Sequence, residues 1–247
     1  MVGSGNVAAV LGRLIQKNGH RVIQVMSRNA EKGRSLANEL SCAFTSIEGN
    51  PDNSANIFLL ALSDDGIYTL QENFFPKKGV IVHTAGAVPM DLLKKICDNY
   101  GVLYPLQSLR REITPSFPVP FLVDGNNPET ISLVEDFALT ISANVKRGND
   151  EERLKLHVAA VIVSNFTNHL YTLAEEFCKK EKVDFDLLIP LIEETACRLA
   201  THSPQTMQTG PAIRHDIHTV EKHLSLLRGY PGLKNIYLKL TESIMNR

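Results

Sequence analysis

This chain has almost no net charge: 26 lysines and arginines face 27 aspartates and glutamates, leaving −1. Without a basic field nothing gathers a phosphate backbone or an anionic lipid surface, so no nucleic-acid or membrane partner is expected. Cysteine is scarce as well. Cys42, Cys97, Cys178 and Cys197 are scattered without C-x-x-C spacing, which fits reduced, packed thiols in a cytoplasmic setting rather than a disulfide framework. No apolar run approaches the roughly 18 residues of a membrane span, and no basic-then-apolar leader opens the sequence. Also absent are G-x-x-x-x-G-K-[ST], H-E-x-x-H and G-x-S-x-G, the signatures of a P-loop, a helical zinc-protease site and a nucleophile elbow. His215 and His218 stand three apart but have no companion ligands, so no metal site is expected.

What is present divides into two grammars. With 247 residues, 43% of them apolar, the chain is long enough for a sizeable core in one or two domains. Up to about residue 148, β-rich runs (22–26, 57–62, 80–83, 101–104, 121–123 and 144–146) alternate with helical stretches near 30–40, 66–73, 89–99 and 128–141. That alternation predicts βαβ units and a mainly parallel sheet. From Asp150 to Lys182 there is neither proline nor glycine, which predicts a helix of up to about 50 Å. A second helix is predicted from Asp184 or Asp186 to about Ala200, with Pro190 as a kink or late start. A third is expected from Pro211 and a last one over 233–245. The expectation is an α/β domain over 1–148 followed by an all-α substrate or dimerisation domain over 149–247.

The most telling motif is Gly3-Ser4-Gly5-Asn6-Val7-Ala8, a G-x-G-x-x-A run opening an amphipathic segment over 6–17. The first glycine permits a tight turn, the second lets a pyrophosphate reach the backbone, and the small Ala8 lets helix pack on strand. Free N–H groups at the helix start then hold the phosphates. This is the pattern of a doubly wound Rossmann sheet. Only Met1 and Val2 precede the first glycine, so the first strand reads as truncated or a stub. The 22–26 run ends in Ser27-Arg28-Asn29 where an NAD site would place a carboxylate, and Arg28 with Ser27 suits the 2′-phosphate of NADP. The alternative is a solvated loop arginine. Leu62 ends one predicted strand, Ser63 follows it and Thr84 follows another, and all three should line the same crevice. His83 reads as an acid–base group or, more simply, a structural hydrogen-bonding group.

On the long helix, Leu156 to Val163 is apolar apart from His157, and this turn is expected to be buried on all sides. His157, Ser164, Asn165, Asn168 and Thr172 nevertheless share one stripe at helical spacing. Buried polar groups need partners, either a substrate and nicotinamide or a facing helix in a homodimer. His157, Asn165 and Asn168 are the candidate catalytic residues. Thr209-Gly210-Pro211 reads as a helix-starting turn or as a second lip of the cleft.

Taken together these residues resemble the bacterial family of Rossmann-like NADP oxidoreductases related to deazaflavin-dependent NADP reductases, whose C-terminal all-α domain is of unknown function. The likeness is carried by 3–8, 24–28, His83-Thr84-Ala85-Gly86, Tyr104-Pro105-Leu106-Gln107-Ser108, 156–160, 164–169 and 208–212. It implies an N-terminal NADP-binding domain and a helical domain of the kind that pairs in pyrroline-carboxylate and ketopantoate reductases. Related hydroxyacid dehydrogenases place a lysine, with an asparagine one turn later, on the first long helix. Here that place offers His157, with Val161 one turn on and Asn165 two turns on; Lys155 points off the stripe. The expected activity is NADP(H)-dependent hydride transfer on a small carbonyl, imine or hydroxyacid, the alternative being a dinucleotide-binding sensor or scaffold that dimerises through its helices.

Overall fold

The computed structural model describes residues 1–70 and 79–246. In chain order the first part holds α1 (Asn6–Lys17), β1 (Gln24–Ser27), α2 (Ala30–Glu39), β2 (Ala43–Ser46), β3 (Ile57–Leu60), α3 (Asp64–Tyr68) and β4 (Val80–His83). A 3-10 turn (Met90–Lys95) leads to β5 (Tyr100–Pro105), β6 (Phe121–Gly125), α4 (Pro128–Ile141) and β7 (Val145–Arg147). The expected helix over 66–73 is the short α3; its part beyond residue 70 lies outside the described residues.

The strands lie in the order β3-β4-β5-β6-β7, parallel except where β5 meets β6, and β1 pairs parallel with β2. The two sets are joined by Val2, which bridges Met26 on one side and Leu60 on the other. Its N–H donates to Leu59 O (2.8 Å) and its carbonyl accepts from Ala61 N (2.8 Å). Met26 N donates to Met1 O (2.9 Å), and Gly3 N to Met26 O (2.8 Å). The stub therefore occupies the central strand's place, and the arrangement is a Rossmann-like doubly wound sheet.

Both faces are covered, as a parallel sheet requires. Val10, Leu11 and Ile15 of α1 and Val134, Ala138 and Ile141 of α4 pack on Leu59, Val82, Leu103 and Phe121. The opposite face packs Phe58, Leu60 and Ile81 against Ile67, Val88 and Leu93. Alternate residues of β3 and β4 thus serve opposite cores, which is why these runs carry no polar alternation.

After Asn149 the chain turns helical: α5 (Asp150–Ala160), a π-helical segment (Val161–Phe166), α6 (Thr167–Glu181), α7 (Ile189–Cys197), α8 (Ile217–Leu226) and α9 (Pro231–Met245). Asn149 starts α5 with a reciprocal capping box, its Oδ1 accepting from Glu152 N and its N–H donating to Glu152 Oε2, both 3.0 Å. By contacts, the chain divides into units Met1–Phe166 and Thr167–Arg247. The division falls later than the change of grammar at 148/149 because α5 is tied into the first unit: Arg153 Nη2 donates to Val88 O (2.5 Å).

Three sequence expectations change. The run over 150–182 is not one regular α-helix but is interrupted by π-helical geometry at 161–166. The Leu156–Val163 turn is not buried: Val158, Ile162 and Val163 are 54%, 54% and 72% exposed among the described residues. Pro211 does not open a helix. Asp216 caps α8 instead, accepting from Thr219 N (3.1 Å), while Gly210 (φ +107°) and His215 (φ +51°) turn the chain before it. In the second unit Cys178, Ala212, Val220 and Leu227 are buried, and Pro190 and Pro231 sit in the first turns of α7 and α9. No helix among the described residues is long and apolar enough to cross a membrane.

Candidate active site and cofactor cradle

The turn from the Val2 stub into α1 demands glycine at position 3. Its φ is +120°, and a Cβ there would lie 2.1 Å from Ala61 O. At Gly5 the opposite holds: nothing lies within 4 Å of where a Cβ would project. Gly5 is the N-cap of α1, no side chain caps the helix, and its first turn carries no acidic residue. Among the described residues no side chain caps these first N–H groups, an arrangement that suits an anion. Ser4 lies just inside, its Oγ 2.8 Å from Ser27 Oγ, with both residues buried. Ser27 therefore braces the glycine turn against β1, and its hydroxyl is engaged there. Asn6 is exposed at the start of α1, and Val7, one residue on, lines a cleft described below.

Arg28, directly after β1, is exposed, and its Nη2 lies 3.6 Å from where a Cβ on Gly66 of α3 would stand. It borders a pocket of about 340 Å³ with Ile47, Glu48, Leu62, Thr69 and Leu70. Its lining mixes the apolar Ile47, Leu62 and Leu70 with Arg28, Glu48 and Thr69, and Ser46 donates to the Glu48 carboxylate. Ser63 caps α3, accepting from Gly66 N at 3.3 Å. It orders the loop rather than facing either cavity's lining.

A second cleft, of about 600 Å³, starts beside Val7 and Leu62 and runs along Thr84-Ala85-Gly86 and Tyr104–Ser108 to the face of α5 and the π segment. His157, Ser164 and Asn165 line it. Thr84 is 7% exposed, its N–H and Oγ1 donating to Leu60 O (3.2 and 3.3 Å). Asn168 stands in the second unit, exposed, and is not among the lining residues of this cleft. Lys155 also points elsewhere, pairing with Glu151 at 2.5 Å in solvent.

The sharpest contact in the cleft was not foreseeable from spacing. Tyr104 Oη lies 3.0 Å from His157 Nδ1, the rings nearly edge-on at 73°. Gly86 lies under the imidazole so closely that a Cβ there would be 2.5 Å from Nδ1. One turn before His157, Arg153 is 1% exposed and ion-paired with Asp150 at 2.7 Å. Asp150 in turn accepts from Met90 N (3.0 Å). Burial pushes the Tyr104 phenol above its ordinary range, and the Arg153 charge pulls the other way. His83 is wholly buried at the end of β4; Ala85 N donates to its Nδ1 (3.2 Å). Burial first, and the nearby Arg153 charge second, hold its pKa down at about 3, so it stays neutral. It does not reach the cleft, and its structural reading is the one the geometry supports. Among the described residues no cluster of histidine, cysteine and carboxylate side chains is arranged to hold a metal ion.

The fold and these clefts define a Rossmann-like class of protein. Residues 119–244 match the model of a domain of unknown function, DUF2520. The chain belongs to the DUF2520 family. It is 35% identical to the putative NADP oxidoreductase BF3122 from Bacteroides fragilis, over 100% of this chain and 96% of that one, with a TM-score of 0.93. A reductive aminase from Aspergillus terreus, solved with NADPH and ethyl-5-oxohexanoate, is 16% identical, covering 99% of this chain and 91% of that one (TM-score 0.70). A 1-pyrroline-5-carboxylate reductase from Streptococcus pyogenes is 12% identical, covering 100% and 97% (TM-score 0.64). The last two show likeness of fold alone. No curated protein sequence matches the chain.

Proposed function

We propose that this chain is an NADP(H)-dependent oxidoreductase acting on a small carbonyl, imine or hydroxyacid. The observation that carries the reading is the cleft that joins Val7, at the start of α1, to the His157–Tyr104 pair. The uncapped N-terminus of α1 over Gly5 would hold the pyrophosphate, the pocket beside Leu62 and Leu70 the adenine, and Arg28 the 2′-phosphate. When bound, the nicotinamide supplies or accepts a hydride. The chain's own part is to seat the substrate between the Thr84–Gly86 and Tyr104–Ser108 segments and the helix, with Asn165 orienting it. His157 then delivers or takes the accompanying proton. The description of the Bacteroides fragilis relative as a putative NADP oxidoreductase agrees with this reading.

We infer further that the chain forms a homodimer through its C-terminal helices. Leu187, Leu191, Ile217 and Leu226 are 77%, 62%, 52% and 58% exposed in the second unit, and each apolar Å² left in water costs about 25 cal/mol. Sedimentation velocity at micromolar concentration is expected to give a dimer; a monomer contradicts it. For the activity, NADPH oxidation is followed over panels of carbonyls and imines, with NADPH affinity measured by calorimetry. Turnover supports the enzyme. Tight binding without turnover on any panel member favours a sensor or scaffold.

A further inference from the structure

We infer that Tyr104 and His157 form a proton relay in which the tyrosine hydroxyl donates to Nδ1, fixing the imidazole as the tautomer that carries its proton on Nε2. This deepens the oxidoreductase reading and rests on it for its chemical purpose, though not for its geometry.

Tyr104 is 7% exposed, and among the described residues the acceptor within reach of its hydroxyl is His157 Nδ1 at 3.0 Å. A buried phenol whose proton has no acceptor costs about 1–3 kcal/mol, so the hydroxyl is better placed as donor than as acceptor at this contact. Nδ1 then acts as a lone pair, and the ring proton belongs to Nε2. Nε2 donates to none of the described residues, and His157 lines the cleft. Gly86 packs against the Nδ1, Cγ and Cβ side of the residue, so the ring is held by backbone on one side and by the phenol at its Nδ1 edge.

This geometry solves a chemical problem. A neutral imidazole gives up its Nε2 proton only if Nδ1 gains one in the same event. When a carbonyl is reduced, the Nε2–H bond breaks and the substrate O–H bond forms. The Tyr104 O–H bond breaks and Nδ1–H forms, leaving a phenolate; after product leaves, Nδ1 returns its proton to the phenolate oxygen as solvent delivers one to Nε2, which restores the starting tautomer. Burial opposes that transient negative charge, and the buried Arg153 guanidinium, one turn away on α5, offsets part of that opposition. With an imine the same proton ends on nitrogen. In the oxidative direction each step reverses. Tyr104 is thus a positioning and relay residue that works through His157.

The test is long-range 1H–15N correlation on the full chain with 15N-labelled histidine, the His157 signals being identified by their loss in His157→Ala. The expected result is the Nε2–H tautomer in the parent. In Tyr104→Phe the Nδ1 resonance should move by several ppm while circular dichroism and Tm stay close to the parent. An Nδ1–H tautomer in the parent, or ring-nitrogen shifts unchanged in Tyr104→Phe, overturns the relay. On whichever panel substrate is turned over, Tyr104→Phe should lower kcat about 10²-fold with NADPH affinity unchanged; an unchanged kcat also overturns it. A chain that fails to bind NADPH sinks the oxidoreductase reading instead, and the tautomer measurement still decides the hydrogen bond.

Discussion

The imidazole of His157 rests on the α-carbon of Gly86, with room for a hydrogen atom and nothing larger: a methyl group there would stand 2.5 Å from Nδ1 and 2.7 Å from Cγ. Gly86→Ala must therefore displace the ring. NADPH oxidation by this variant is expected to fall 10- to 100-fold, as misplacing a reacting group by about 1 Å does. Nucleotide affinity should be unchanged, since Gly86 lies in the cleft and not at Gly3–Ala8. Stopped assays with parallel calorimetry check both; parental kcat would contradict the placement.

The two motif glycines should fail differently. Gly3→Ala puts a side chain at φ +120° and 2.1 Å from Ala61 O, and is expected to lower stability by more than about 2 kcal/mol, read by denaturant titration. Gly5→Ala meets no atom within 4 Å and should leave stability within about 0.5 kcal/mol while weakening NADPH binding, because its methyl enters the space proposed for the pyrophosphate.

Arg28→Ala separates the two nicotinamide cofactors. NADPH affinity is expected to fall about 10- to 100-fold, the worth of a charge-assisted contact, and NADH affinity to change little. Equal losses for both, or none, would remove Arg28 from the 2′-phosphate site.

His83 makes the fold acid-sensitive above the range where carboxylates titrate. Its folded pKa of about 3 lies below the ordinary 6.5, so between those values the unfolded chain binds a proton that the native chain refuses. Stability contributed by neutral His83 is therefore complete above about pH 6.5 and declines as pH falls, at about 1 kcal/mol per unit. Between pH 6.5 and 5, Tm of the parent should drop more steeply than that of His83→Gln. Parallel slopes would refute the assignment.

Much of this arrangement could be read from the chain itself. The bounds of α1, β4 and α4 agree with the apolar pattern and its cap signals, and the crevice residues Thr84, His157 and Asn165 were singled out as strand-end and stripe positions. What escaped did so for physical reasons. The strand Ala43–Ser46 is an edge element, half-buried at most, so it lacks the strong apolar signature of β3. The π segment keeps a helical composition, and nothing in a 3.6-residue pattern announces i→i+5 bonding. Tyr104 was legible as a loop flank but not as the partner of His157, because 53 residues of chain and a strand reversal separate them. The apolar turn at 156–163 was read as interior because apolar composition alone does not say whether a turn is covered.

Val2 gives the seam of the sheet an unusual economy. One residue holds β1 to β3, and the peptide that leaves it is the one that bends over the anion cradle. Grip on a nucleotide and cohesion between the two halves of the sheet thus share the same few amides. Occupancy of the cradle would act as a latch on that seam, so nucleotide should slow amide exchange at Gly3, Met26 and Ala61 ahead of the rest of the sheet.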